Sequence, residues 1–172
     1  MLVAELEFVF LMGAPLSPRK DGLPHDIGDV MSAVSALHLG SEVPDSRYEN
    51  FTAAGLAQLI ADCACADRFV LGPEVTYPWR EENLAAHLVR GWATDADGKN
   101  GEVHHGSGAA VLSDPRVALT WLVNELNENG IVLQKGEFVT TGTCTIPIPV
   151  KPGDTVTGDF GDYGTIYLRF TE

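Results

Sequence analysis

Leu2-Val3-Ala4-Glu5-Leu6-Glu7-Phe8-Val9-Phe10-Leu11 is an apolar, β-branched and aromatic run broken by two carboxylates, and it reads as a strand entering a core. Side chains two apart on a strand share a face, so Glu5 and Glu7 stand together at roughly 6.5 to 7 Å of backbone separation. Two carboxylates held that way repel each other and resist burial unless a positive charge lies between them. Two readings follow: an exposed face carrying solvated glutamates, or a site for a hard divalent cation. Glu42, in Glu42-Val43-Pro44-Asp45-Ser46-Arg47, is a candidate third ligand. An all-carboxylate set suits Mg²⁺ or Mn²⁺, which take oxygen and keep positions open for water and substrate, better than Zn²⁺, which favours His and Cys.

Outward from that strand, the 172 residues suit one domain, residues 1–172, large enough for a real core, and 45% hydrophobic content with 20% charged is ordinary globular usage. Eleven basic against 24 acidic residues give a formal charge of −13, which argues against a nucleic-acid backbone or an anionic membrane surface as partner. An anionic substrate then needs a local positive centre, which a cation supplies. No apolar run has the length of a membrane span, and the start of the chain lacks the basic opening of a secretory signal, so the expectation is a cytoplasmic protein. Cys63, Cys65 and Cys144 cannot all pair within one chain, and Cys63-Ala64-Cys65 has the wrong spacing for a CxxC motif, which leaves reduced, structural thiols. The five histidines read as surface or turn residues, His104-His105 pointing to opposite faces of a strand.

Turn-rich stretches alternate with short regular elements. A Pro/Gly loop covers 13–24, a helix is predicted over 27–39 ending at Gly40, and a second short helix over 53–61. Segments 68–71, 84–93, 101–105, 137–141, 154–160 and 164–170 read as strands. The clearest helix begins at Pro115, with Asp114 as N-cap, and stops at Asn129-Gly130, with Leu119, Leu122, Val123 and Leu126 as its apolar stripe. With neither repeat nor low-complexity linker, the pattern predicts a mostly β, α+β fold.

Several of these segments resemble a known family. Gly108-Ala109-Ala110-Val111-Leu112, the helix through Trp121-Leu122-Val123-Asn124-Glu125-Leu126, Gly136-Glu137-Phe138-Val139-Thr140-Thr141-Gly142-Thr143 and Val150-Lys151-Pro152-Gly153-Asp154-Thr155-Val156 are similar to the 2-keto-4-pentenoate hydratase and 4-oxalocrotonate decarboxylase branch of the fumarylacetoacetate hydrolase superfamily. Glu42-Val43-Pro44-Asp45-Ser46-Arg47 resembles that family's E-I-V-D-S-R, and Ala61-Asp62-Cys63-Ala64 its A-D-N-A.

The resemblance implies a β-roll with a few flanking helices, holding Mg²⁺ or Mn²⁺ on an E-x-E pair plus Glu42. It also implies a 2-oxo or 2-hydroxy-dienoate acid that chelates the cation as a stabilised enolate forms, and a Thr141-Gly142-Thr143 turn whose amides and hydroxyl meet the substrate carboxylate.

Two departures modify these expectations. Aligning the family's E-x-E-L/I-A-F on Phe8 puts its second glutamate at Glu5 and its first at Val3, with Glu7, on the same face, as a displaced replacement. The resemblance also implies a helical segment ahead of this strand that carries the proton-transferring lysine. A chain read from Met1 is then a metal platform whose acid and base must come from elsewhere. Asp45, Arg47 and Asp62 are candidates, Asp45 and Arg47 being expected to form an ion pair that fixes the ligand loop. Glu7, Cys63, Arg19, Lys20 and His25 are weaker ones. Three classes of function stand: a metal-dependent lyase on a 2-oxo acid, a tautomerase, isomerase or cyclase on a β-dicarbonyl or polyketide-like compound, and a non-catalytic remnant. Homodimerisation is expected because a roll without a helical cap leaves apolar surface to cover.

Overall fold

A computed structural model describes residues 1–171. Nine strands form two antiparallel sheets: β1 (Val3–Met12), β2 (Val34–Val43), β3 (Arg68–Glu74), β4 (Leu88–Thr94), β5 (His104–Ser107), β6 (Phe138–Thr143), β7 (Ile148–Pro149), β8 (Thr155–Asp159) and β9 (Thr165–Arg169). The first sheet runs β3-β2-β1-β6, with β7 pairing the start of β1, and the second runs β5-β4-β8-β9. Three helices, α1 (Ile27–Ala33), α2 (Leu56–Ala61) and α3 (Pro115–Glu128), flank them. The mostly β architecture expected from the sequence is the one observed. Among the described residues no helix is long and apolar enough to cross a membrane.

The core lies between the sheets. Leu6, Phe8 and Phe10 of β1 and Leu37 and Leu39 of β2 are fully buried with Val89, Val156, Phe160 and Ile166 of the facing layer. The Phe8 ring meets Phe160 edge-on at 5.4 Å and Tyr163 at 6.2 Å, a geometry aromatic quadrupoles favour. Helix α3 forms as its sequence predicts. Asp114 accepts the Arg116 amide at 2.8 Å, Pro115 opens the first turn, and Leu119 and Val123 are buried.

The largest departure from the sequence reading is the predicted helix 27–39. The helix stops at Ala33, and residues 34–43 become β2, paired with β1 from Glu5↔Glu42 to Met12↔Val34. Tertiary pairing overrides local propensity here. Gly40 marks no helix end: it is the close-approach point of β2, since a Cβ there would come within 2.5 Å of Val9 Cγ2 and 3.0 Å of the Phe69 ring. Smaller differences lie at 84–86, a 3₁₀ turn ahead of β4, and in β5, which begins at His104 instead of residue 101. The Thr141-Gly142-Thr143 segment, expected as a turn after a strand, lies inside β6, where the register against β1 shifts between Glu7 and Val9. Gly142 takes φ +109° at that bulge, a conformation open mainly to glycine.

Candidate metal centre

The acidic cluster is built from two neighbouring strands. Glu5 and Glu7 share a face of β1, Glu5 stands directly opposite Glu42 on β2, and Glu7 is opposite Gly40. One carboxylate oxygen from each of Glu5, Glu7 and Glu42 lies within 4.8 Å of the others. Around a Mg²⁺ ion with oxygen ligands at about 2.0 to 2.1 Å, opposed ligands are roughly 4.1 Å apart, and around Ca²⁺, at about 2.3 to 2.6 Å, roughly 5 Å. An upper limit of 4.8 Å on the mutual separations puts the three oxygens within side-chain adjustment of a shared hard cation.

Electrostatics agrees with the geometry. Glu7 is only 1% exposed, and its carboxyl is pushed up to about 7 by burial first, with the charges of Glu42 and Glu5 adding to it. The Gly142 amide, donating to Glu7 Oε2 at 2.8 Å, opposes that rise. Burial and the Glu42 charge raise Glu5, and burial raises Glu42. Three carboxyls that each resist ionising in the protein alone form a site that a divalent cation would relieve. Oε2 of Glu7 is held by the bulge amide, and a hydrogen bond from the Thr140 side chain also opposes the rise. Val3, at the family's first glutamate position by motif alignment, pairs with Pro149 on β7, and its carboxylate function is absent there.

The remaining sequence candidates fall elsewhere. Thr141 donates its hydroxyl to Phe8 O at 2.9 Å and Thr143 donates its own to Thr145 O at 2.9 Å, so this segment shapes the bulge beside Glu7 and spends these donors within the protein. Asp45 is exposed and pairs with the Met1 ammonium. Arg47 does not pair with Asp45 as expected. Its guanidinium reaches Asp62 Oδ1 at 3.1 Å and the Asp62 carbonyl at 3.0 Å. Asp62 is buried, also accepts the Ser46 hydroxyl at 2.6 Å, and is held below the usual carboxylate range by that bond and by Arg47. Asp62 thus ties the loop after β2 to the end of α2.

Among the weaker candidates, Cys63 is exposed, while Arg19 bonds Asp21 and Asp29 in the early loop. The reading of all five histidines as surface or turn residues fails for the half-buried rings of His25, His38, His87 and His104. His87 bonds Phe160 O at 2.6 Å and stacks on Tyr163, and His38 sits on β2, on the face that bears the glutamates. The signal for His38 was its even spacing from Glu42, legible only once 34–43 is known to be a strand.

No protein-family model matches the chain. The 4-oxalocrotonate decarboxylase of Pseudomonas sp. (strain CF600) is 36% identical over 167 residues, a match covering 96% of this chain and 59% of that protein. The 2-oxo-hept-4-ene-1,7-dioate hydratase of Escherichia coli is 27% identical over 172 residues, covering 96% of this chain and 60% of the relative. The solved structure of 4-oxalocrotonate decarboxylase from Pseudomonas putida G7, complexed with magnesium and adipate, superposes with a TM-score of 0.82 at 32% identity over 98% of this chain and 60% of that one. The chain therefore spans about 60% of the length of the relatives it matches. In sequence and in fold alike, it is similar to the hydratase and decarboxylase branch of the fumarylacetoacetate hydrolase superfamily.

Proposed function

We propose that this chain carries the cation platform of a lyase-type enzyme acting on a small 2-oxo or 2-hydroxy-dienoate acid, by hydration or decarboxylation. The observation that carries the reading is the convergence of Glu5, Glu7 and Glu42 within 4.8 Å, one of them buried. Magnesium accompanies adipate in the Pseudomonas putida G7 decarboxylase, and the names of the relatives include a dioate and an oxalocrotonate, so a short acid with an acidic far end is the substrate class favoured. A bound Mg²⁺ or Mn²⁺ would supply a Lewis acid for the charge that develops on the C2 oxygen.

The protein's own contribution is positional. Glu5 and Glu42 face each other across the strand pair, Glu7 is fixed by the Gly142 amide, and Thr141, Gly142 and Thr143 keep the bulge that presents it. Arg47 and Asp62 bond to each other beside the loop that follows Glu42, and Asp45 pairs with the Met1 ammonium, which favours positional roles for them.

Calorimetric titration with Mg²⁺ and Mn²⁺, on the wild-type chain and on Glu5→Ala, Glu7→Ala and Glu42→Ala, tests the platform. Binding that disappears in each variant supports it; affinity unchanged in all three overturns it. The chemistry is tested with 2-hydroxypenta-2,4-dienoate and 4-oxalocrotonate. Turnover abolished by a chelator and restored by Mg²⁺ supports a metal-dependent lyase, whereas turnover that survives chelation transfers the reading to a tautomerase or cyclase.

A further inference from the structure

The hydroxyls that follow one another along β6 and the chain beyond it have different fates. Thr141 donates to Phe8 O at 2.9 Å, Thr143 donates to Thr145 O at 2.9 Å, and Thr140 bonds the Glu7 carboxylate. Thr145 is the exception. It is 6% exposed, and its buried Oγ1 has no hydrogen-bond partner among the described residues. Taking a hydroxyl out of water without giving it a partner costs stability, so buried hydroxyls are as a rule paired. A threonine kept in that state, where valine has the same shape, calls for a partner from outside the chain.

The course of the backbone places Thr145 beside Glu5. Thr143 stands opposite Glu7, the Cys144 amide donates to Leu6 O at 2.8 Å, and pairing with β1 resumes at Ile148 opposite Ala4. Residues 144–147 therefore pass alongside Leu6 and Glu5, and Thr145 comes directly after the residue bonded to Leu6. Cys144 is fully buried in the core, and none of 143, 144 and 145 takes a positive φ. Successive side chains on such a chain leave on opposite sides. Thr143 and Thr145 thus leave on the side away from the core, which is the side of Glu5, Glu7 and Glu42.

The chemistry of that side identifies the partner. Glu5 and Glu42 are half-buried and Glu7 is buried, with no cationic side chain of the described residues among the influences on their ionisation. A hard cation that takes carboxylate oxygens here keeps other positions for water. Water on such an ion is polarised and needs acceptors for its hydrogens, and a threonine hydroxyl offers two lone pairs.

We propose that Thr145 is a positioning residue of the cation site, its hydroxyl accepting a hydrogen bond from a water carried by the ion at Glu5, Glu7 and Glu42. This rests on the cation reading of the trio. The hydroxyl is then unpaired only while the site is empty, and loading the site relieves the cost of burying it. Thr141, Gly142 and Thr143 shape the bulge, and Thr145, two residues further on, supplies the free oxygen.

The test uses the whole chain with Mg²⁺ as probe, comparing Thr145→Val, which keeps the shape and removes the hydroxyl, with Thr145→Ser, which keeps the hydroxyl. Without metal, Thr145→Val is expected to melt at or above the wild-type temperature. Its Mg²⁺ affinity is expected to fall about tenfold, the range seen for groups that orient metal ligands. Thr145→Ser should stay within about threefold of wild type. Mg²⁺ affinity unchanged in Thr145→Val, or lost equally in Thr145→Ser, overturns the proposal. Independently of any variant, a crystal structure of the Mg²⁺-loaded wild type should show a metal-bound water within about 3.0 Å of Thr145 Oγ1. An Oγ1 bonded to a protein atom instead, or still unpaired, overturns the proposal and leaves the cation site standing. Failure of the wild type to bind Mg²⁺ overturns both.

Discussion

The two faces of β1 pose opposite problems. On one, Leu6, Phe8 and Phe10 are fully buried against the second sheet. On the other, Glu5 and Glu7 face Glu42 with no cationic side chain among the influences on their ionisation. Hydrophobic burial is non-directional, so the apolar face is satisfied by the protein alone. The acidic face is not, because three carboxyls at short range resist losing their protons until a cation arrives. Stability and the candidate chemistry therefore sit back to back on a single strand, and they can be perturbed separately.

The largest effect should come from the apolar side. Phe8→Ala removes a fully buried ring that contacts Phe160 and Tyr163, and is expected to cost about 3 to 5 kcal/mol in urea unfolding. A cost under about 1 kcal/mol would mean that this face does not govern stability.

On the acidic side the sign reverses. Glu7 has its folded-state carboxyl raised to about 7 from an ordinary 4.5, so the native chain holds that proton more tightly than the unfolded one. The stability tied to it is complete below about pH 4.5 and is lost as pH rises through 7, on the order of 3 kcal/mol. Metal-free protein is thus expected to weaken from pH 5 to pH 8, and Glu7→Gln to flatten that slope. Thermal melts across pH check both.

Mg²⁺ works against the proton. At pH 8 a concentration near a hundred times its dissociation constant should stabilise the chain by about 2.7 kcal/mol, and the gain should shrink toward pH 5 as protons compete for the carboxylates. Equal stabilisation at both values would remove the trio from the binding site.

Smaller effects are expected at the loop that follows Glu42. Asp62→Ala strips the partner from Ser46 and Arg47 and should cost about 1 to 3 kcal/mol. Arg47→Ala, whose side chain is 60% exposed, should cost under about 1 kcal/mol. Mg²⁺ affinity should fall more in the former, since Asp62 is what fixes the segment leading away from Glu42.

Much of this comparison was legible in the sequence. The alternation of Glu5, Glu7 and Val9 with Leu6, Phe8 and Phe10 shows two unlike faces, and Asp114-Pro115 with Asn129-Gly130 brackets α3 closely. The family motifs pointed to Glu42. The strand β2 was not legible, because Asp26, an apolar run and Gly40 imitate the punctuation of one helix, whereas only the first part of that run is helical. Its loss hid His38, whose relation to Glu7 depends on strand periodicity and on the register with β1.

The sequence by itself determined which residue types are present and where local geometry is forced: a two-faced first strand, a capped helix, glycine in the Thr141-Gly142-Thr143 segment and an acidic excess that needs a compensating charge. Those follow from short-range sterics, periodicity and composition. Only the tertiary structure decided that Glu7, and no residue at the Val3 position, joins Glu5 and Glu42. The same holds for the pairing of Arg47 with Asp62 in place of Asp45, and for the orphaned nitrogen of His38 on the same face. Each depends on strand register, which residues far apart in the chain set through hydrogen-bond pairing, and a shift by a single residue would turn every one of these side chains to the opposite face.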